Sequence, residues 1–185
     1  MKYIKKFENK KVEDIFDAVM HHDIELVKKL INNGVDLNIK DNDGYTPLMR
    51  SMFVIEDSEK IIKLLIDAGA NVNITDDNNG NTALILWIKS DWKNTSTNKI
   101  KLLINAGADV NIKNNYGNTA LILASSRNQI ENVKLLIEAG ADWNLKNDED
   151  SDFLDYLSNN NVIIELYPDQ YKEYLIKKDA EKYNL

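Results

Sequence analysis

The stretch GADVNIKNNYGNTALILASSRNQIENVKLLIEAG, Gly107 to Gly140, decides how the whole chain is read. It opens on a glycine and a short extended run, then turns through Asn114-Asn115-Tyr116-Gly117. Two apolar-periodic segments follow, 119–125 and 130–139, separated by polar residues 126–129. That spacing predicts two short helices with apolar faces to bury. A single pair of this size cannot bury them alone, so it calls for neighbours of its own kind.

The neighbours are present on both sides. Counting back from Gly34, Gly69, Gly107 and Gly140, leucine recurs at Leu30, Leu65, Leu103 and Leu136. Isoleucine follows at Ile31, Ile66, Ile104 and Ile137, and lysine recurs at Lys28, Lys63, Lys101 and Lys134. Forward of each glycine an asparagine column runs through Asn38, Asn73, Asn111 and Asn144. An amide at a repeated turn position can bond neighbouring backbone groups, so this column reads as structural. The lysine column reads as a solvated face.

These units resemble ankyrin repeats, whose pattern is D-x-x-G-x-T-P-L, a helix pair, then G-A-D-V-N. The opening is matched in full by Asp41-Asn42-Asp43-Gly44-Tyr45-Thr46-Pro47-Leu48. Gly80-Asn81-Thr82-Ala83-Leu84 and Gly117-Asn118-Thr119-Ala120-Leu121 match it with alanine in place of proline. The resemblance covers roughly 12–158. It implies an all-α solenoid of stacked helix–turn–helix units with β-turn fingers. The expected organisation is one domain, 1–185. It comprises an N-terminal capping unit (1–40), three full repeats (41–75, 76–113, 114–146) and a divergent C-terminal cap (147–185).

Local signals place the elements. Apolar residues at helical spacing predict a helix over 12–20, and His21-His22-Asp23 turns the chain with Asp23 as N-cap of 24–33. Thr46 caps a helix over 48–54 with Pro47 at its first position, and Ser58 caps 59–68. The third unit is expected to carry helices at 82–89 and 98–106. In the fifth unit Asp150 and Asp152 replace the finger glycine and the threonine, and Phe153, Leu154 and Leu157 supply the inward face of a helix near 151–158. Pro168 starts a terminal helix over 169–183, with Tyr171, Tyr174, Leu175 and Lys178 at helical spacing, that covers the last repeat.

Spacing also locates irregularities. Ala18 to Lys28 and Ala124 to Lys134 are both 10 positions apart, but Ser51 to Lys63 is 12 and Trp87 to Lys101 is 14. The second and third units therefore carry longer loops between their helices, and the third finger holds one extra residue. Trp87, in a column of small residues, is expected to pack against the enlarged loops, and Trp143 against the C-terminal cap. Trp92, inside the insertion 90–98, fits either packing or a partner contact.

Composition narrows the function. A formal charge of -7 argues against nucleic acid, which demands a basic face. The absence of cysteine excludes disulfides and thiolate metal sites. Met1–Lys11 is lysine-rich but leads into no apolar signal core, and no apolar run approaches a membrane span, so a cytoplasmic chain without membrane contact is expected, export by another route aside. The Asp/Asn-rich turns do not fit an EF-hand: counting from Gly44 puts Ile39 first and Arg50 last, and counting from Gly80 puts Thr75 first and Leu86 last. His21 and His22 lack a carboxylate at ligand spacing, and no nucleophile or phosphate motif occurs, so no enzyme, metal or cofactor is expected.

The resemblance implies a protein–protein interaction module that meets a protein partner through its finger tips and the inner faces of its first helices. Carried over by position, the candidate contacts are Asn42, Asp43 and Tyr45; Asn78, Asn79 and Asn81; and Asn115, Tyr116 and Asn118 on the fingers. On the helices they are Arg50, Phe53, Lys89, Ser126 and Arg127, with Trp92 in the insertion. Tyr45, Tyr116 and Arg50 are the expected anchors. A monomer is expected. The competing expectation is a self-assembling module that uses the inserted loops and the acidic C-terminal cap.

Overall fold

Why a helix pair needs its neighbours is visible in the burial pattern. A computed structural model of the chain describes residues 15–54, 58–90, 97–157 and 161–183. Helices follow in the order α1 (15–20), α2 (Ile24–Asn32), α3 (Pro47–Met52), α4 (Ser58–Asp67), α5 (Ala83–Ser90) and α6 (Asn98–Asn105). They continue with α7 (Ala120–Ser126), α8 (Ile130–Glu138), α9 (Phe153–Tyr156), α10 (Asn161–Leu166) and α11 (Pro168–Tyr183). Helices α3, α5, α7 and α9 lie side by side as an inner row, and α2, α4, α6 and α8 form an outer row.

The inner row is buried nearly all round. In α5 six consecutive residues, Ala83 to Ile88, are covered, as expected for a helix sandwiched between neighbours. Outer helices bury one stripe only: Ile61, Ile62 and Leu65 in α4, Ile100 and Leu103 in α6, Val133 and Leu136 in α8. Leu65, Leu103 and Leu136 are each 0% exposed, so the leucine column occupies one repeated environment. Each buried leucine contributes about 1.5–3 kcal/mol.

Starts and stops follow the sequence signals. Thr46 Oγ1 accepts the Met49 N–H at 3.2 Å, and Thr82 and Thr119 do the same for Ile85 and Ile122, both at 3.3 Å. Asp23 caps α2 by accepting from the Leu26 N–H at 2.9 Å. Gly34, Gly69, Gly107 and Gly140 end the outer helices at positive φ. In the first and fourth units, which carry no insertion, His22 (φ 59°) and Asn128 (φ 53°) turn the chain between helices. Each finger is closed by the same hydrogen bond: Asp41 N to Tyr45 O, Asp76 N to Asn81 O, Asn114 N to Asn118 O and Asn147 N to Ser151 O. The extra residue of the third unit falls inside that loop.

Four expectations need correction. Ser58 lies within α4 rather than capping it, and its buried hydroxyl has no partner among the described residues. Helix α3 stops at Met52, two residues short of 54. Helix α9 spans four residues rather than 151–158, because Leu157 turns extended at φ −70° and ψ 118°. Leu175 is 41% exposed, outside the stripe of Tyr171, Tyr174 and Lys178 that faces the repeats. Residues 12–14 of the expected first helix and 91–96 of the insertion, with Trp92, lie outside the described residues.

Two tryptophans settle into packing. Trp143 meets Phe153, Tyr167 and Tyr174 with ring centroids 5.2, 6.1 and 6.5 Å away. Trp87 fills the slot that Ser51 and Ala124 leave small, with the Lys99 ammonium 4.0 Å from its ring centroid. That ammonium, from the helix after the insertion, donates to the Val54 carbonyl at 2.7 Å.

Candidate partner-binding surface

Two columns of short polar side chains build the fingers. The first is Asp41, Asp76, Asn114 and Asn147 at the finger bases. Asp41 Oδ1 accepts the N–H groups of Asp43 and Tyr45, Asn114 Oδ1 those of Tyr116 and Asn118, and Asn147 Oδ1 those of Glu149 and Ser151. Asp76 Oδ1 takes Asn78 and Asn79, and its Oδ2 takes the Asn81 N–H. Such side-chain acceptors fold a turn without help from other elements. Where the base is asparagine its amide N–H also reaches back: Asn114 donates to Asn81 Oδ1 and Asn147 to Asn118 Oδ1, both at 3.0 Å.

The second column is the predicted Asn38, Asn73, Asn111 and Asn144. The side-chain oxygens of Asn38, Asn73 and Asn111 accept the backbone N–H of Asn71, Asp109 and Asp142 in the following unit, each at 2.8 Å. Asn73 and Asn111 also donate onward to the carbonyls of Gly107 and Gly140. Asn144 instead turns its amide N–H back to Asp142 Oδ1 at 2.8 Å. Hydrogen bonds from the Asn144 backbone and then from its side chain hold the Asp142 carboxyl below the usual range.

At the tips the fingers touch. Asn78 Nδ2 donates to Asp43 O at 2.8 Å, Asn115 N to Asn79 O at 2.8 Å, and the Tyr116 hydroxyl to Asn79 Oδ1 at 3.2 Å. Contact is so close that a Cβ on Gly117 would fall 2.7 Å from Asp148 N.

On the first finger Arg50 is spent internally. Its Nε pairs with Asp41 Oδ2 and its Nη2 with Asp43 Oδ2, while its guanidinium carbon lies 4.8 Å from the Tyr45 ring centroid. Burial works against the Arg50 charge, but the hydrogen bonds to both aspartates outweigh it and raise its pKa. Tyr45 is half-buried and packs edge-to-face on Phe53 at 5.4 Å. Burial and then Asp76 push its phenol up.

The structure therefore sorts the candidates. Asp43, Tyr45, Arg50 and Phe53 form one cluster, and Asn78, Asn79, Asn115 and Tyr116 form another across two finger tips. Asn81, expected at an open tip, is 0% exposed, with its amide N–H on Asp76 Oδ2 and its oxygen taken by Asn114, so it sits between fingers. Asn118 is half-buried and occupied by Asn147, and Lys89 is half-buried near the end of α5. Asn42, Asp43, Asn78, Asn115, Ser126 and Arg127 are exposed, with Tyr116 at 56% and Phe53 at 39%. Trp92 lies outside the described residues. The base column was missed as a functional set, although an Asp or Asn ahead of each finger turn was its signal.

Charge concentrates in the same place. The finger segments 35–46, 70–82, 108–119 and 141–152 hold eleven acidic side chains against three lysines, so the negative excess of the -7 chain sits in them. Among the described residues no three His, Asp or Glu side chains gather as a metal site, and no helix is long and apolar enough to cross a membrane.

Comparison with known proteins agrees with this architecture. The family model for ankyrin repeats (3 copies) matches residues 15–114 and again 52–147. A Fowlpox virus protein named as an ankyrin repeat protein is 34% identical over 70 residues, 38% of this chain and 12% of its own length. One from Borreliella burgdorferi is 31% identical over 65 residues, 35% of this chain and 29% of its own. A further Fowlpox virus protein so named is 47% identical over 47 residues, 25% and 32% respectively. The chain thus spans at most 32% of the length of these relatives. Ankyrin repeats are in general protein–protein interaction modules and non-enzymatic scaffolds. With its finger columns, paired helix rows and a family match over most of its length, the chain belongs to the ankyrin repeat family.

Proposed function

We propose that this array binds a protein partner across its finger tips and the exposed ends of its inner helices. The observation that carries the reading is Tyr116, 56% exposed at a finger tip and steered by its hydroxyl contact to Asn79. An aromatic ring held in one orientation in the open suits a binding anchor, because little side-chain freedom is lost on docking. Phe53 at 39% exposed adds a second ring, and Asn42, Asn78, Asn115, Ser126 and Arg127 supply polar contacts around them. Acidic fingers favour a partner with basic side chains between its apolar groups.

Tyr45 and Arg50 support this surface from beneath, since each is engaged within its own finger. The test is capture of a partner from source lysate, identified by mass spectrometry, with wild type and a Phe53→Ala/Tyr116→Ala pair. Recovery is expected to fall at least about 30-fold, the loss typical of removing a hot spot. Equal recovery by both proteins would sink the assignment.

A second reading, self-assembly through the C-terminal cap, draws on one observation: Ile164, Leu166, Leu175 and Ile176 are all exposed on α10 and α11. Light scattering across a concentration range tests it, and a constant monomer mass removes it.

A further inference from the structure

In the fifth unit an aspartate stands where the sister units place threonine. Thr46, Thr82 and Thr119 use their one side-chain oxygen to cap the inner helix. Asp152 performs the same task with Oδ1, accepting from Leu154 N at 2.9 Å and Asp155 N at 3.3 Å. That leaves its second oxygen free for another element, an option threonine does not have. Oδ2 accepts the Tyr174 hydroxyl at 2.6 Å and the Lys178 ammonium at 3.1 Å, both from α11. The same ammonium reaches Asp155 Oδ1 at 2.9 Å.

We propose that α11 is a separately releasable strap over the end of the array, fastened by Asp152. Three features support separability. Among the described helices α11 packs mainly on its neighbour α10, not on the helix rows of the repeats. Among the described residues the side chains that hold it to the repeats are Tyr174 against Trp143, Tyr171 at the edge of the core, and the clasp on Asp152 and Asp155. An open cleft of about 200 Å³ runs along the seam between α11 and the last finger, lined by Asp142, Trp143, Asn144, Glu173, Tyr174 and Lys177.

The clasp is concentrated in one carboxylate, which is 1% exposed, and charged hydrogen bonds of this kind are the stronger class. Burial and then the bond to Asp152 keep the Tyr174 hydroxyl protonated far above neutral pH. Burial works against the Lys178 ammonium, but its bonds to Tyr174, Asp155 and Asp152 outweigh that and hold it charged. Release of α11 would uncover the Trp143 ring at the end of the stack.

Asp152→Thr is the decisive variant, because it restores the sister residue, retains the helix cap and deletes only the tether. Hydrogen exchange read by mass spectrometry on the full chain supplies the measurement. Exchange across α11 is expected to rise roughly ten- to hundredfold, while α3 to α8 stay as in wild type. Tyr174→Phe, which removes the hydroxyl and keeps the ring, is expected to give a smaller rise confined to α11. Unchanged α11 exchange in Asp152→Thr would overturn the clasp. A uniform rise along the array would overturn separability.

Discussion

Asn73 Oδ1 accepts the backbone N–H of Asp109 from the next unit at 2.8 Å, and the Asn73 amide N–H returns a bond to Gly107 O at 3.0 Å. One side chain thus straps two successive fingers on both sides of its amide. Asn73→Ala is expected to destabilise the array by about 1–2 kcal/mol, two partly exposed hydrogen bonds at the usual net value. Asn144→Ala is the control, since that amide bonds only within its own finger, and its cost is expected to stay below about 0.5 kcal/mol. Urea unfolding followed by far-UV circular dichroism separates the two; equal costs would refute the strap.

Gly107 and Gly117 lie ten positions apart and both have positive φ, but their surroundings differ. Nothing lies within 4 Å of a Cβ built at Gly107, whereas at Gly117 it meets Asp148 N at 2.7 Å and Asn147 Cα at 2.9 Å. Gly107→Ala is expected to cost about 1–2 kcal/mol from backbone conformation alone. Gly117→Ala adds a clash with the backbone of the next finger, for a loss above about 3 kcal/mol. Thermal melting points of the two variants give the comparison directly.

Acid should loosen the C-terminal end. Bonds from Asn144 hold the Asp142 carboxyl below its ordinary value, and for Asp155 bonds from Lys178 and Asp152 N outweigh an opposing burial effect to the same end. A depressed folded pKa gives stability that is complete above the unfolded value near 4 and lost as pH falls toward the folded one. The urea midpoint is therefore expected to decline from about pH 4 downward, less steeply in Asn144→Ala. At the other extreme Tyr174 is raised, so its contribution is complete below about pH 10 and fades above it.

Arg50→Lys keeps the charge but loses the fork between Asp41 and Asp43 and the stacking on Tyr45. A loss of about 1 kcal/mol in stability is expected, with the partly exposed setting limiting it. Because Arg50 is engaged inside its own finger, partner capture should survive the change at temperatures where the variant is folded. Loss of capture by a fully folded Arg50→Lys would return Arg50 to the contact surface.

Periodicity made most of the architecture legible. The leucine column found one repeated environment, and the capping threonines and closing glycines kept the roles their types dictate. The asparagine column was read as structural and proved to strap successive units. Asn81 was misplaced because a tip position in sequence says nothing of the next finger leaning over it. Arg50 and Tyr45 looked like free anchors for a related reason: Asp41, nine positions earlier, captures the guanidinium only once the finger folds back over the helix. Asp152 read as a departure from the pattern. The lone-pair count of a carboxylate, two oxygens where threonine has one, is what turns that departure into a cap with a second job.

The straps point one way along the chain. Asn38, Asn73 and Asn111 each present an oxygen to the unit that comes after, whereas Asn144 folds its amide onto its own finger and offers no such template. The inter-unit asparagine strap therefore stops at Asn144. A grafted extra unit would need Asn144 rotated outward and α11 removed before it could seat at the C-terminal side.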